Sequence, residues 1–211
     1  MNKIINFRIL PQLKLILKRS CHCHCGSATP PQRFGCCGLV PELLAKAPCE
    51  ALFVAYRRVC ADLGNELNPI DCKDEPCVKW CANPDKLYTL IMLDPDAPCR
   101  VMPSCRSWLH WLVGNIPCGA IERGRTIASY VGPAPPRNTG FHRYTFLVYQ
   151  QCCEVNFKEK FISNCCVEGR PKFSLECFVQ RYSLGEPQAG NFFKAEWDCY
   201  VENINRQLGL K

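Results

Sequence analysis

Residues 130–150, YVGPAPPRNTGFHRYTFLVYQ, change character halfway. The first part is crowded with proline and glycine, so it forms neither a regular helix nor a central strand. The second part, from Tyr144 to Gln150, is aromatic and β-branched in the manner of a buried strand. His142 and Tyr144 stand at the junction. Two residues apart on an extended chain, they point to the same face. A stiff loop therefore delivers two hydrogen-bonding side chains to the mouth of a sheet, which is one way to build a small polar pocket. On these residues alone, a strand that merely begins with a histidine fits equally well.

Outward from this stretch, the chain of 211 residues has the length of one domain with a true core. Seventeen prolines and thirteen glycines, with strand-like runs between them, favour a β-rich architecture. No apolar run is long enough to span a membrane. The formal charge of +7 is concentrated at the start: residues 1–41 contain Lys3, Arg8, Lys14, Lys18, Arg19 and Arg33 and no acid, leaving 20 basic against 19 acidic residues in the remainder. That near-neutral body carries no general nucleic-acid footprint. Most of the nineteen cysteines, an odd number with no secretory signal visible, read as reduced small apolar fillers in a reducing compartment. The expected localisation is cytoplasmic, or mitochondrial if the basic, acid-free start is a transit peptide rather than a disordered extension. Cys21-His22-Cys23-His24-Cys25 alternates its ligands and lacks the paired spacing of a structural zinc site, and Cys72, Cys77 and Cys81 have no histidine nearby.

Strands are expected over 51–56, 87–93, 109–116 and 144–150, with an edge strand over 125–131 and a short helical turn over 41–47. Asp94-Pro95-Asp96-Ala97-Pro98 must be a turn, because its prolines end any ladder. A helix is expected over 172–182, with Ser174 as N-cap. A second is expected over 193–208, where Phe193, Trp197, Tyr200, Val201, Ile204 and Leu208 recur at helical spacing and Gly209 stops them. Strands followed by helices suggest a β-sandwich with C-terminal helices packed at one end. Asp94, His110, and His142 with Tyr144 then all fall at strand ends. If those strands are neighbours, a carboxylate, two imidazoles and a phenol converge, and the glycines of 132–140 offer backbone N–H groups to an anion.

The segments LYTLIMLDPDAPCR, SWLHWLVGNIP, SYVGPAPPRNTGFHRYTFLVYQQ and AGNFFKAEWDCYV strongly resemble the phosphatidylethanolamine-binding protein family, which includes Raf kinase inhibitor protein, in order from about Glu42 to Leu208. The resemblance implies a mainly β fold, a Greek-key antiparallel β-sandwich over 42–211, after a basic extension over 1–41. It implies an anion pocket built by Asp94, Ala97, Pro98, Trp108, His110, Val131, Gly132, His142 and Tyr144, and a cis peptide at Arg106-Ser107. The implied ligand is a phospholipid head group or another small phosphate or carboxylate anion. The implied partners are a protein kinase or a serine protease, bound without catalytic residues, cofactor or metal. A monomer with peripheral membrane contact is the corresponding expectation.

The chain also departs from the family pattern. Gly132-Pro133-Ala134-Pro135-Pro136 stands where a GxGPP loop is usual, removing one N–H and adding a methyl group. Cys99 replaces a serine, Cys105 falls where a pocket tyrosine is common, and Asn205 takes the place of a tyrosine that closes the pocket in some relatives. Two other readings remain on these residues. One is an inhibitor scaffold with a vestigial pocket. The other is a hydrolase using Cys99 or a serine with His110 or His142, although no GxSxG motif is present.

Overall fold

The computed structural model describes residues 28–210. Its centre is a six-stranded sheet with spatial order β1-β8-β7-β4-β5-β6, and β2 and β3 pair separately as a small second sheet. The strands are β1 (Glu50–Ala51), β2 (Phe53–Ala55), β3 (Cys77–Lys79), β4 (Leu87–Asp94), β5 (Trp108–Pro117), β6 (Arg125–Ala128), β7 (His142–Gln151) and β8 (Ala189–Ala195). Strand β7 returns after the β4–β5–β6 meander to lie beside β4, which is the Greek-key order. The pairings are antiparallel except β1 with β8, so the large sheet is mixed.

Both faces of the large sheet are covered. Tyr88, Leu90 and Met92 of β4 and Phe146 and Val148 of β7 pack with Val54 and Val78 of the small sheet. The alternate residues, Ile91, Leu93, Leu147 and Tyr149, pack against Phe34, Leu175 and Phe178. Two buried faces explain why β4 and β7 read as continuous apolar runs rather than as alternation. The expected sandwich is thus built, with its second sheet reduced to two strands.

Four short α-helices lie among the described residues: α1 (Pro30–Cys36), α2 (Leu39–Glu42), α3 (Leu175–Arg181) and α4 (Val201–Gln207). Ser174 caps α3, its hydroxyl accepting from Cys177 N–H. The helices do not share one end: α3 lies on a sheet face, whereas α4 packs Ile204 and Leu208 on Val131 at the strand ends.

Three expectations are corrected. The helix over 193–208 is a strand and a shorter helix: Phe193 belongs to β8 and pairs with Tyr144, and only Val201–Gln207 is helical. Phe192 and Phe193 bury to opposite faces, so the helical spacing of Phe193 and Trp197 is a coincidence that cross-strand pairing overrides. The boundary at residue 42 falls inside the packed body. Thr29 and Gln32 form a capping box that starts α1, and Phe34 and Leu39 are fully buried. The transit-peptide reading and the Cys-His tract lie in residues outside the described ones. Finally, most of the described cysteines are not buried fillers. All sixteen described ones are free thiols, and of these only Cys72 is buried. No metal-binding cluster occurs among the described residues, and no helix there is long and apolar enough to cross a membrane.

Candidate functional site

Antiparallel pairing places the end of β4 beside the starts of both β5 and β7. Asp94 is the partner of Trp108, and Leu93 is the partner of Thr145. The side chains that the sequence set at three strand ends therefore meet at one edge of the sheet. A β-bulge refines this. Met92 pairs with Trp111 and Leu93 with Leu109, so His110 is the extra residue on β5. Such an insertion re-aims a side chain at a sheet rim.

A cavity of about 130 Å³ opens there. Six of the nine expected residues line it: Asp94, Ala97, Pro98, Trp108, His110 and Val131. Cys105 and Asn205, the two rim substitutions singled out in the sequence, line it as well, with Ala134, Pro136, Leu208 and Leu210. Asp94 is the sole formally charged side chain in this lining, and no lysine or arginine joins it.

His110 is 97 % buried, being only 3 % exposed. Its Nδ1 donates to Val131 O at 2.8 Å, because a carbonyl only accepts. Nε2 is then the ring nitrogen without a protein partner, on a side chain that lines the cavity. Burial pushes the imidazole down to about 4, against smaller opposing effects of Asp94 and Val131 O, so the ring is neutral near pH 7. Behind it, Arg170 is fully buried and donates to the carbonyls of Leu109, His110, Ser129, Ser163 and Cys166. No carboxylate pairs with this guanidinium among the described residues. Its charge further disfavours protonation of His110.

The other three expected residues lie outside the lining. His142 is fully buried and committed at both nitrogens, Nδ1 to Asp94 Oδ2 at 2.8 Å and Nε2 to Thr139 Oγ1 at 2.9 Å. It has no valence left for a ligand and instead orients the Asp94 carboxylate, whose Oδ1 accepts from Asp96 N–H at 2.8 Å. Tyr144 shares the face of His142, as their spacing predicts, with rings stacked at 6.5 Å. It also meets His110 edge-on at 5.1 Å. Its hydroxyl lies by the backbone of Ala134 without a regular hydrogen bond, and burial raises it well above the usual phenol range. Gly132 faces away from the cavity and outside the left-handed region. A Cβ there would lie 3.1 Å from Cys72 O, so glycine serves close packing rather than an anion nest. The hydrolase reading loses its geometry too: Cys105, not Cys99, lines the cavity, while Cys99 Sγ turns to Met102 O at 3.9 Å.

A second buried constellation holds this corner together, and the sequence did not show it. Asp96 is fully buried and accepts from Arg143 backbone N–H at 2.9 Å and Nε at 2.8 Å. Arg143 Nη1 donates to Cys37 O at 2.7 Å and Nη2 to Glu42 Oε2 at 2.6 Å, tying the N-terminal segment to the turn. Arg106 Nε donates to Pro95 O at 2.6 Å. The peptide bonds Ala97-Pro98 and Arg106-Ser107 on either side of the cavity loop are cis, the second as expected.

A Greek-key sheet whose strand ends close on an Asp and an available imidazole has the form of a binding or inhibitor scaffold. Comparison with known proteins agrees. Residues 60–193, more than half of the chain, match the model of the phosphatidylethanolamine-binding protein family. The chain is 40 % identical over 171 residues to a Drosophila melanogaster protein named odorant-binding protein A5, covering 81 % of each. It is 40 % identical to CG7054, whose solution structure superposes with a TM-score of 0.65 over 76 % of this chain and 92 % of that one. The carboxypeptidase Y inhibitor, in complex with its cognate proteinase, shares the fold at 24 % identity, with a TM-score of 0.66 over 79 % of this chain and 94 % of that one. The chain belongs to the phosphatidylethanolamine-binding protein family.

Proposed function

We propose that the cavity binds the head group of a phospholipid, or another small phosphate or carboxylate anion, and that the protein acts by binding rather than by catalysis. The observation that carries this reading is the neutral His110, anchored through Nδ1 and lining the cavity with Nε2 free beside the Asp94 carboxylate. An anion accepts from Nε2 only when the ring carries a second proton. Binding therefore takes up a proton at His110, or uses the acidic proton of a phosphate monoanion to bridge to Nε2. A ligand ammonium or hydroxyl then finds an acceptor in Asp94. Apart from the Asn205 amide and the Cys105 thiol, the rest of the lining supplies apolar contact and no cation, which favours a small, singly charged or zwitterionic group over a dianion.

Calorimetric titration with phosphorylethanolamine tests this, comparing the wild type with His110→Ala. The wild type binds, and the substitution, by removing a charge-assisted bond worth about 1.5–3 kcal/mol, weakens affinity roughly 10- to 100-fold. Equal affinities would sink the reading. Affinity rises as the pH falls from 7 toward 5, because the free imidazole at about 4 gains its proton more readily.

A second reading has the same scaffold inhibit a protease or kinase through its rim loops. It is supported by the fold shared with the carboxypeptidase Y inhibitor. A protein partner retained by His110→Ala favours that reading.

A further inference from the structure

Between Pro98 and Cys105, both in the cavity lining, the chain makes a loop closed at its neck by Cys105 N–H to Ala97 O at 3.0 Å. A turn, Met102 N–H to Cys99 O at 3.1 Å, forms its tip. Val101 is 97 % exposed and Met102 69 %, the two most exposed large apolar side chains among the described residues. Each is three residues from a cavity-lining residue, so neither Cα lies more than about 11 Å from one that lines the cavity. Leu210, which lines the cavity, is itself exposed.

The surroundings of the tip are basic. Arg100, Arg106 and Arg143 share two carboxylates, Glu42 and Asp96, which leaves one positive charge in excess. Lys172, whose N–H bonds Cys105 O, and Arg137, next to the lining residue Pro136, have no carboxylate partner among the described residues. Exposed apolar tips amid basic side chains fit the interface of an anionic bilayer, which takes up single apolar side chains and attracts lysine and arginine. A protein partner would call for a patch of roughly 800 Å², and two side chains on a turn offer much less. The cavity points the same way. At about 130 Å³ it is smaller than the roughly 300–1,000 Å³ of sites that enclose drug-sized ligands, so it holds a head group and leaves acyl chains outside.

We propose that the 99–104 loop is a membrane anchor, inserting Val101 and Met102 into a bilayer surface while a head group of that surface enters the cavity beside it. The second clause rests on the head-group reading above; the anchor itself does not. The test is flotation of the full chain with vesicles of phosphatidylcholine, phosphatidylethanolamine and phosphatidylserine, comparing the wild type with the double variant Val101→Asp, Met102→Asp. The wild type floats, the variant partitions roughly tenfold less or worse, and both bind soluble phosphorylethanolamine equally. Flotation of both alike, or of neither, overturns the anchor. If the variant alone fails to float while neither protein binds soluble phosphorylethanolamine, the anchor stands and the head-group reading falls. Met102→Trp gives an independent readout: its emission shifts to the blue on vesicle addition, and an unshifted emission in a protein that floats overturns the assignment.

Discussion

Asp94 and Asp96 lie two residues apart in one turn, both buried, with opposite fates. Asp96 is surrounded by donors: a backbone N–H, a guanidinium fork and the edge of Arg106. Nothing remains for it to bind. Asp94 has one N–H and one imidazole, and its side chain still lines a cavity. The difference shows how one short motif divides its work. The aspartate that is fully satisfied holds the turn in place, and the one left with capacity to spare is available to a ligand. The same division separates the histidines, with His142 committed at both nitrogens and His110 at one.

The contrast is most easily broken at Asp96. Asp96→Ala leaves the Arg143 guanidinium buried without its main partner, and urea unfolding should show a loss of about 3–5 kcal/mol. A loss below about 1 kcal/mol would mean that the two aspartates are not different in kind. His110 comes next. Its value falls from 6.5 when unfolded to about 4 in the fold, so the unfolded chain binds the extra proton first. The stability it contributes is whole above pH 6.5 and is lost as the pH falls toward 4, about 3 kcal/mol in all. His110→Gln removes that part of the acid dependence of thermal unfolding, and an unchanged profile would contradict the assignment.

Asp94→Asn sharpens the comparison from the other side. The isosteric amide costs about 1–2 kcal/mol of stability, less than Asp96→Ala, yet it weakens phosphorylethanolamine binding about tenfold or more by calorimetry. Smallest is the effect at the exposed tip, where Val101→Asp alters unfolding by about 0.5 kcal/mol or less.

Much of this was legible from residue order. The strands β4, β5 and β7 read directly from their apolar runs, because burial on both faces demands such runs. The proline-bounded turn after Asp94 and the shared face of His142 and Tyr144 followed from backbone geometry alone. The resemblance to the family supplied the cis peptide at Arg106-Ser107 and the pocket set, six of whose nine members line the cavity. Other features were hidden. AGNFFKA shows no two-residue alternation, because β8 is buried on both sides, and chance helical spacing beyond it masked the strand. TPPQRF looked like part of a basic tail, although Phe34 is a core residue. Arg170 gave no signal at all, since its partners are backbone carbonyls, to which residue identity is no guide.

The sequence by itself determined which residues could do chemistry and that they stood at strand ends, since a side chain's type and its place in a run are local properties. Only the tertiary structure decided which of them faced the cavity. The bulge at His110 and the pairing of His142 with Asp94 and Thr139 depend on register between strands far apart in the chain. Whether a polar atom is spent or spare depends on what packs against it, and that is settled only when the sheet closes.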